Sequence, residues 1–178
     1  MEFVGPSLRD RLRTGTRLSQ DSLERAQRSF DLEVADDMTA FLAAQRDAVV
    51  TLQGCAPDLE RALEEAYDRL DADLADRAGS ARPKDYPKPR VDHPFACGYV
   101  WHSQQLSLRM TCRRLEEAAT AGVRFLEAPR DAGAWRALCD ALERTPGYDA
   151  DADRAVMAAN DRLALLETIH LDHARAPR

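Results

Sequence analysis

No run of about 18 apolar residues occurs in the 178 residues of this chain, which excludes a membrane-spanning helix at the sequence level. The first residues, Met1-Glu2-Phe3-Val4-Gly5-Pro6, carry neither a basic segment nor an apolar stretch of the secretory kind. The expected location is therefore the cytoplasm, away from membranes. The chain also lacks a Cys-x-x-Cys pair: Cys55, Cys97, Cys112 and Cys139 are scattered, so neither a zinc knuckle nor a thioredoxin-type centre is signalled. Reduced, mostly buried thiols are expected.

Positive charge is in deficit. With 25 Lys and Arg against 31 Asp and Glu the formal net charge is −6, the wrong sign for a general nucleic-acid binder. No Gly-rich phosphate loop appears, and no Ser, His and Asp assemble into a recognisable nucleophilic site. Alternating strand patterns are essentially missing.

Helical periodicity fills the space. Ser7 followed three residues later by Asp10 opens the first helical stretch, and Leu8, Leu12, Leu23 and Phe30 mark a buried side for helices reaching about residue 29. Residues 33–53 carry Phe41, Leu42, Val49 and Leu52. Pro57-Asp58 begins the next helix, where Leu59, Leu63, Ala66, Tyr67, Leu70 and Leu74 recur at three- and four-residue steps. Residues 79–94 hold four prolines and little apolar content, which predicts a loop inside one domain spanning 1–178. Further helices are expected at about 95–121, 132–144 and 150–172. Pro146-Gly147 separates the last two, and Asp149, Asp151 and Asp153 set negative charge at the N-terminal end of the final helix, where its dipole favours it.

Two stretches carry a family resemblance. The spacing Leu12-x-x-x-Thr16-x-x-x-Gln20-x-x-x-Glu24 resembles the first helix of heme oxygenases, which reads Leu-x-x-x-Thr-x-x-x-His-x-x-x-Glu. In that family the His is the proximal iron ligand and the acid orients it. Here the ligand position holds an amide, a poor donor to heme iron compared with imidazole.

The segment from Gly98 to Leu115 is similar to the distal helix of bacterial heme oxygenases, roughly Tyr-Val-x-Glu-Gly-Ser-x-Leu-Gly-Gly-Arg-x-x-x-Arg-x-Leu. Tyr99, Val100, Leu106, Arg109, Arg113 and Leu115 fall in register. His102, Ser103 and Gln104 depart from it, and Ser107-Leu108 replaces the Gly-Gly pair. Glycines there let the backbone approach the porphyrin and leave room for dioxygen; a leucine side chain is expected to fill that room. Residues 67–79 resemble the family's segment before its central loop. Arg124-Phe125-Leu126 with Trp135 and Leu138 resembles its later helices.

The resemblance implies an all-α, single-domain heme oxygenase-like helical bundle in which the first helix and the 95–121 helix wall one cleft, with Tyr99 and Leu106 buried. It implies a ligand site built from Gln20, Glu24, Arg13, Tyr99, Ser107, Leu108 and Arg109, with the arginines suited to a propionate or another carboxylate. It also implies that the catalytic pattern has degenerated, leaving a regulatory module, a pseudoenzyme that binds a tetrapyrrole or a protein partner. Two alternatives stand beside it. One is an active heme oxygenase with noncanonical ligation through His102, although helix geometry turns that residue about 120° from the face of position 108. The other is a helical metallo-oxidase built on Glu167-x-x-His170, a spacing found in di-iron bundles; only one such motif is present, and a solvated helix end is the plainer reading.

Overall fold

The computed structural model describes residues 5–77, 82–117 and 123–175. Among them the architecture is all-α, with no strand and one isolated bridge between Ser7 and Pro146. Ser7 caps α1 (Leu8–Gly15) by accepting the Asp10 N–H, and its hydroxyl faces the Asp10 carboxylate. The helices expected up to about residue 29 are two, and they meet at Thr16. Buried Thr16 separates them, its Oγ1 donating to the Leu12 carbonyl 2.8 Å away, and α2 (Arg17–Gln27) follows at once. A hydroxyl that returns to the carbonyl four residues back competes with the helical ladder and bends it.

The last helix, α8 (Ala150–Ala174), is the spine of the molecule: α1, α2, α3 (Ala35–Leu52) and α5 (Pro94–Glu117) all lie against it. Its buried Ala152, Ala155, Ala158 and Ala159 let neighbouring helices approach closely. On α1, a Cβ at Gly15 would sit 2.7 Å from Val156 of α8, so only glycine allows this crossing. Asp149 caps α8 by accepting the Ala152 N–H, with Asp151 and Asp153 in its first turn, as the charge pattern predicts. Among the described residues no helix is long and apolar enough to cross a membrane.

The α3 helix packs between α8 and α4 (Glu60–Ala75), which a 3-10 turn at Pro57–Leu59 precedes. Asp73 of α4 is fully buried and accepts hydrogen bonds from the backbone N–H groups of Arg124 and Phe125, fixing the short α6 (Arg124–Glu127). The α7 helix (Ala132–Glu143) completes the set.

The proline-rich connection is strapped to α8 from residue 90 onward. Asp161 accepts the N–H groups of Arg90 and Val91, buried Arg162 donates to the Val91 carbonyl and to the Asp92 carboxylate at 2.8 Å each, and Arg154 holds the Asp92 carbonyl. Prolines leave this segment poor in donors of its own, so α8 side chains supply its partners. Residues 79–81 of the expected loop and 118–121 of the expected 95–121 helix lie outside the described residues.

Leu106 departs from expectation, being 42% exposed, whereas Tyr99 and Leu108 are buried. Residues two apart on a helix project about 200° apart, so α5 can bury Leu108 against the core or Leu106, and it buries Leu108.

Candidate functional site

Because α2 and α5 lie along the same helix α8 rather than against each other, a gap runs between them. Polar side chains bridge one part of it. The Gln20 amide donates to Thr16 Oγ1 at 2.9 Å and to the Tyr99 hydroxyl of α5 at 3.2 Å, and the Gln27 amide donates to Gln104 Oε1 at 3.1 Å. Toward the C-terminal half of α5 the gap opens into a cavity of about 240 Å3. Phe30, Phe41 and Leu115 give it an apolar floor, and Glu24, Arg28, Ser107, Met110, Thr111 and Arg114 form its sides. Arg28 pairs with Glu24 at 3.2 Å, whereas exposed Arg114 makes no ion pair among the described residues.

The seven residues implied by the resemblance divide into groups. Gln20 and Tyr99 touch, and Glu24 and Ser107 line the same cavity from opposite helices. Leu108 is not part of the lining: it is 1% exposed in the main core, one position beyond Ser107 and turned away from the cleft. Arg13 is exposed and paired with Asp10 on its own helix at 3.0 Å, and Arg109 is exposed on α5. Neither lines the cavity. The residues that sequence reasoning overlooked are Phe30 and Phe41 as cleft floor and Met110 on its side, whereas Arg114 belongs to the run of arginines on this helix that the sequence offers to a carboxylate. Phe30 was legible only as a core position, because an aromatic at helical spacing carries no sign of which cleft it lines.

His102 points to the other side of α5. It is buried, its ring 6.2 Å from that of Trp135 on α7, and it borders a different cavity. The Glu167–His170 pair does not form a metal site either. His170 is fully buried rather than at a solvated helix end; its Nδ1 lies 2.7 Å from the Leu166 carbonyl and its Nε2 2.9 Å from the Gln45 amide nitrogen. A carbonyl only accepts, so Nδ1 carries the proton and Nε2 accepts from Gln45, which leaves no lone pair for a metal. Among the described residues no cluster of three His, Cys, Asp or Glu side chains has the arrangement of a metal site.

No disulfide joins the four cysteines; Cys97 and Cys139 are buried, and Cys55 and Cys112 half-buried. A hydrogen bond with Cys97, aided by the nearby Arg162 guanidinium, lowers the Cys55 thiol to about 6; the same contact and burial push Cys97 up. Thiolate is the reactive form. At pH 7, timed iodoacetamide labelling followed by peptide mass mapping is therefore expected to modify Cys55 before the other three cysteines; equal labelling of Cys55 and Cys112 would contradict this electrostatic arrangement.

Comparison of the chain with protein-family models, with curated proteins and with solved structures finds no match, so its local geometry and the sequence patterns described above are what bear on its function.

Proposed function

We propose that this protein is a catalytically silent, heme oxygenase-like binding module whose α2–α5 cleft takes a tetrapyrrole by its edge. The observation that carries this reading is the Gln20 bridge. At the position where the resemblance calls for an iron-ligating imidazole, an amide is engaged by Thr16 and Tyr99 and ties the two cleft helices together. Among the described residues the cavity lining holds no histidine and no cysteine. These donors do not fit an iron-centred reaction, and no step through heme iron follows from them.

Binding is a different matter. The cleft joins an aromatic floor to Arg114, which makes no ion pair among the described residues, a combination that suits a flat apolar ring system bearing a carboxylate, although Glu24, Asp31 and Glu33 also line it. Its volume is below the roughly 300–1,000 Å3 of pockets that enclose a drug-sized ligand, so a macrocycle enters only in part unless α2 and α5 spread. His102 is a poor candidate for a substitute ligand here, since it borders the opposite cavity. A regulatory role through a protein partner remains the companion reading, for which exposed Leu106 and Met110 beside the cleft supply apolar surface.

The test is a titration with hemin, protoporphyrin IX and biliverdin read by visible absorption, with a reductase and dioxygen added to the hemin sample. Metal-free and iron porphyrin are expected to bind with similar affinity, with no biliverdin or carbon monoxide released. Gln20→His alone should give only weak, poorly oriented iron ligation. Turnover of hemin by the wild-type chain would overturn the proposal, and so would failure of all three compounds to bind.

A further inference from the structure

The opposite side of α5 borders a larger cavity, of about 430 Å3, enclosed by α4, α6, the 128–131 connection and the start of α7. His102 and Gln105 stand three residues apart on α5 and share a face. Both line this cavity, and each is only 9% exposed. Neither makes a hydrogen bond to another protein group among the described residues, and the His102 ring packs against that of Trp135. Their polar atoms are not sealed off from the cavity, so both side chains are open to a hydrogen-bonding occupant of it.

The lining carries three carboxylates, Asp58, Glu65 and Asp131, against three guanidinium groups, Arg61, Arg69 and Arg130, and it is the setting of Arg130 that suits an anion. Arg130 is half-buried, and its Nη atoms donate to the carbonyls of Phe125, Leu126 and Ala128, while its Nε has no partner. Three of its five N–H donors are thus engaged, and no carboxylate lies within ion-pair distance of it among the described residues. Burial disfavours its charge, and neighbouring Arg69 adds to that effect. Of the acids in the lining, Glu65 pairs with Arg61 and Arg69 and Asp131 caps α7, while Asp58 makes no ion pair among the described residues. Trp101 and Phe125, both buried, contribute aromatic wall, and the Arg130 guanidinium sits 5.9 Å from the Phe125 ring centre. A guanidinium over an aromatic face is a common setting for a planar carboxylate.

We propose that this second cavity binds a small aromatic carboxylate, with its carboxylate toward Arg130 and beside Arg69, which it shares with Glu65, its ring against Trp101 and Phe125, and its remaining polar groups hydrogen-bonded by His102 and Gln105. The site is separate from the α2–α5 cleft and does not depend on the reading of that cleft. Burial holds His102 below its usual pKa range, so the imidazole stays neutral at pH 7 and serves as donor or acceptor rather than as a second cation.

The test uses the full chain and three probes of one shape: salicylate, its neutral analogue salicylamide, and the cation 2-hydroxybenzylamine. Calorimetry gives affinity, and NMR of the His102 ring and the Trp101 indole reports location. Salicylate is expected to bind saturably and shift both signals, with the amide at least about tenfold weaker and the amine not bound. Arg69→Gln and His102→Leu should each weaken salicylate about tenfold. Arg130 also braces residues 125–128, so these two variants decide the matter, with their folding checked by circular dichroism. Ser107→Trp, which fills the other cleft, should leave salicylate binding unchanged. Absence of saturable binding at millimolar salicylate, equal binding of the three probes, or shifts that survive both deciding variants would each overturn the proposal.

Discussion

Leu108→Gly is expected to lower stability by about 3–6 kcal/mol, the largest effect of any single substitution considered for the cleft. The side chain is 1% exposed within the main core. Truncating such a leucine to alanine costs about 2–5 kcal/mol through lost burial and the cavity left behind, and glycine inside a helix adds about 1 kcal/mol. For a domain whose whole margin is about 5–15 kcal/mol, this is a large share. Thermal unfolding should fall by on the order of 10–20 °C, whereas Leu108→Met, which keeps the volume, should fall much less. A melting temperature within a few degrees of wild type would mean that Leu108 is not a core residue.

This expectation bears on function. The glycine pair of the resembling family corresponds to Ser107 and Leu108, but only Ser107 borders the cleft. Converting the chain to an iron-binding form by Gln20→His, Ser107→Gly and Leu108→Gly together therefore removes core packing as well as cleft bulk. Gln20→His with Ser107→Gly alters the cleft wall while the core keeps its leucine.

The second large effect is a pH dependence of folding. His170 is buried among Phe30 and Phe41, and burial lowers its pKa from 6.5 to about 4. Between those two values the unfolded chain binds a proton that the folded chain refuses, so stability rises with pH. The contribution is fully present above about pH 6.5 and is lost as pH falls toward 4. A shift of this size corresponds to about 3 kcal/mol, with a limiting slope near 1.4 kcal/mol per pH unit. Urea unfolding of wild type and of His170→Gln from pH 7.5 to 4 should show a clearly shallower slope for the variant. Identical slopes would mean that His170 titrates normally in the folded state.

How much was legible in advance varies from residue to residue. Leu63, Leu70 and Leu74 repeat with the period of a helix and are all buried on α4, because one-sided apolar spacing leaves a helix one face to bury. Pro146-Gly147 ends one helix and precedes another for equally local reasons. Leu106 and Leu108 had no such local distinction. Both are leucines on one helix, and which one reaches the core depends on the rotation at which α5 settles against α8. Arg162 is harder still: an arginine reads as a surface residue, yet here it is 2% exposed and holds the proline-rich strap.

The amino-acid sequence by itself determined the all-α class, the main helical segments, the break between helices around Pro146-Gly147 and the presence of an amide, Gln20, one helical turn from both Thr16 and Glu24. Those features follow from backbone propensity, side-chain period and residue identity, which act over a few residues. Tertiary structure alone decided that Gln20 engages Tyr99, that Ser107 rather than Leu108 faces the cleft, that His170 is closed off by Gln45 and Leu166, and that His102 and Gln105 meet Arg130 around a second cavity. Each of these joins residues far apart in the chain. Their proximity is set by how helices cross and rotate to fill a common core, a choice made by the packing of all side chains together and by no local stretch of them.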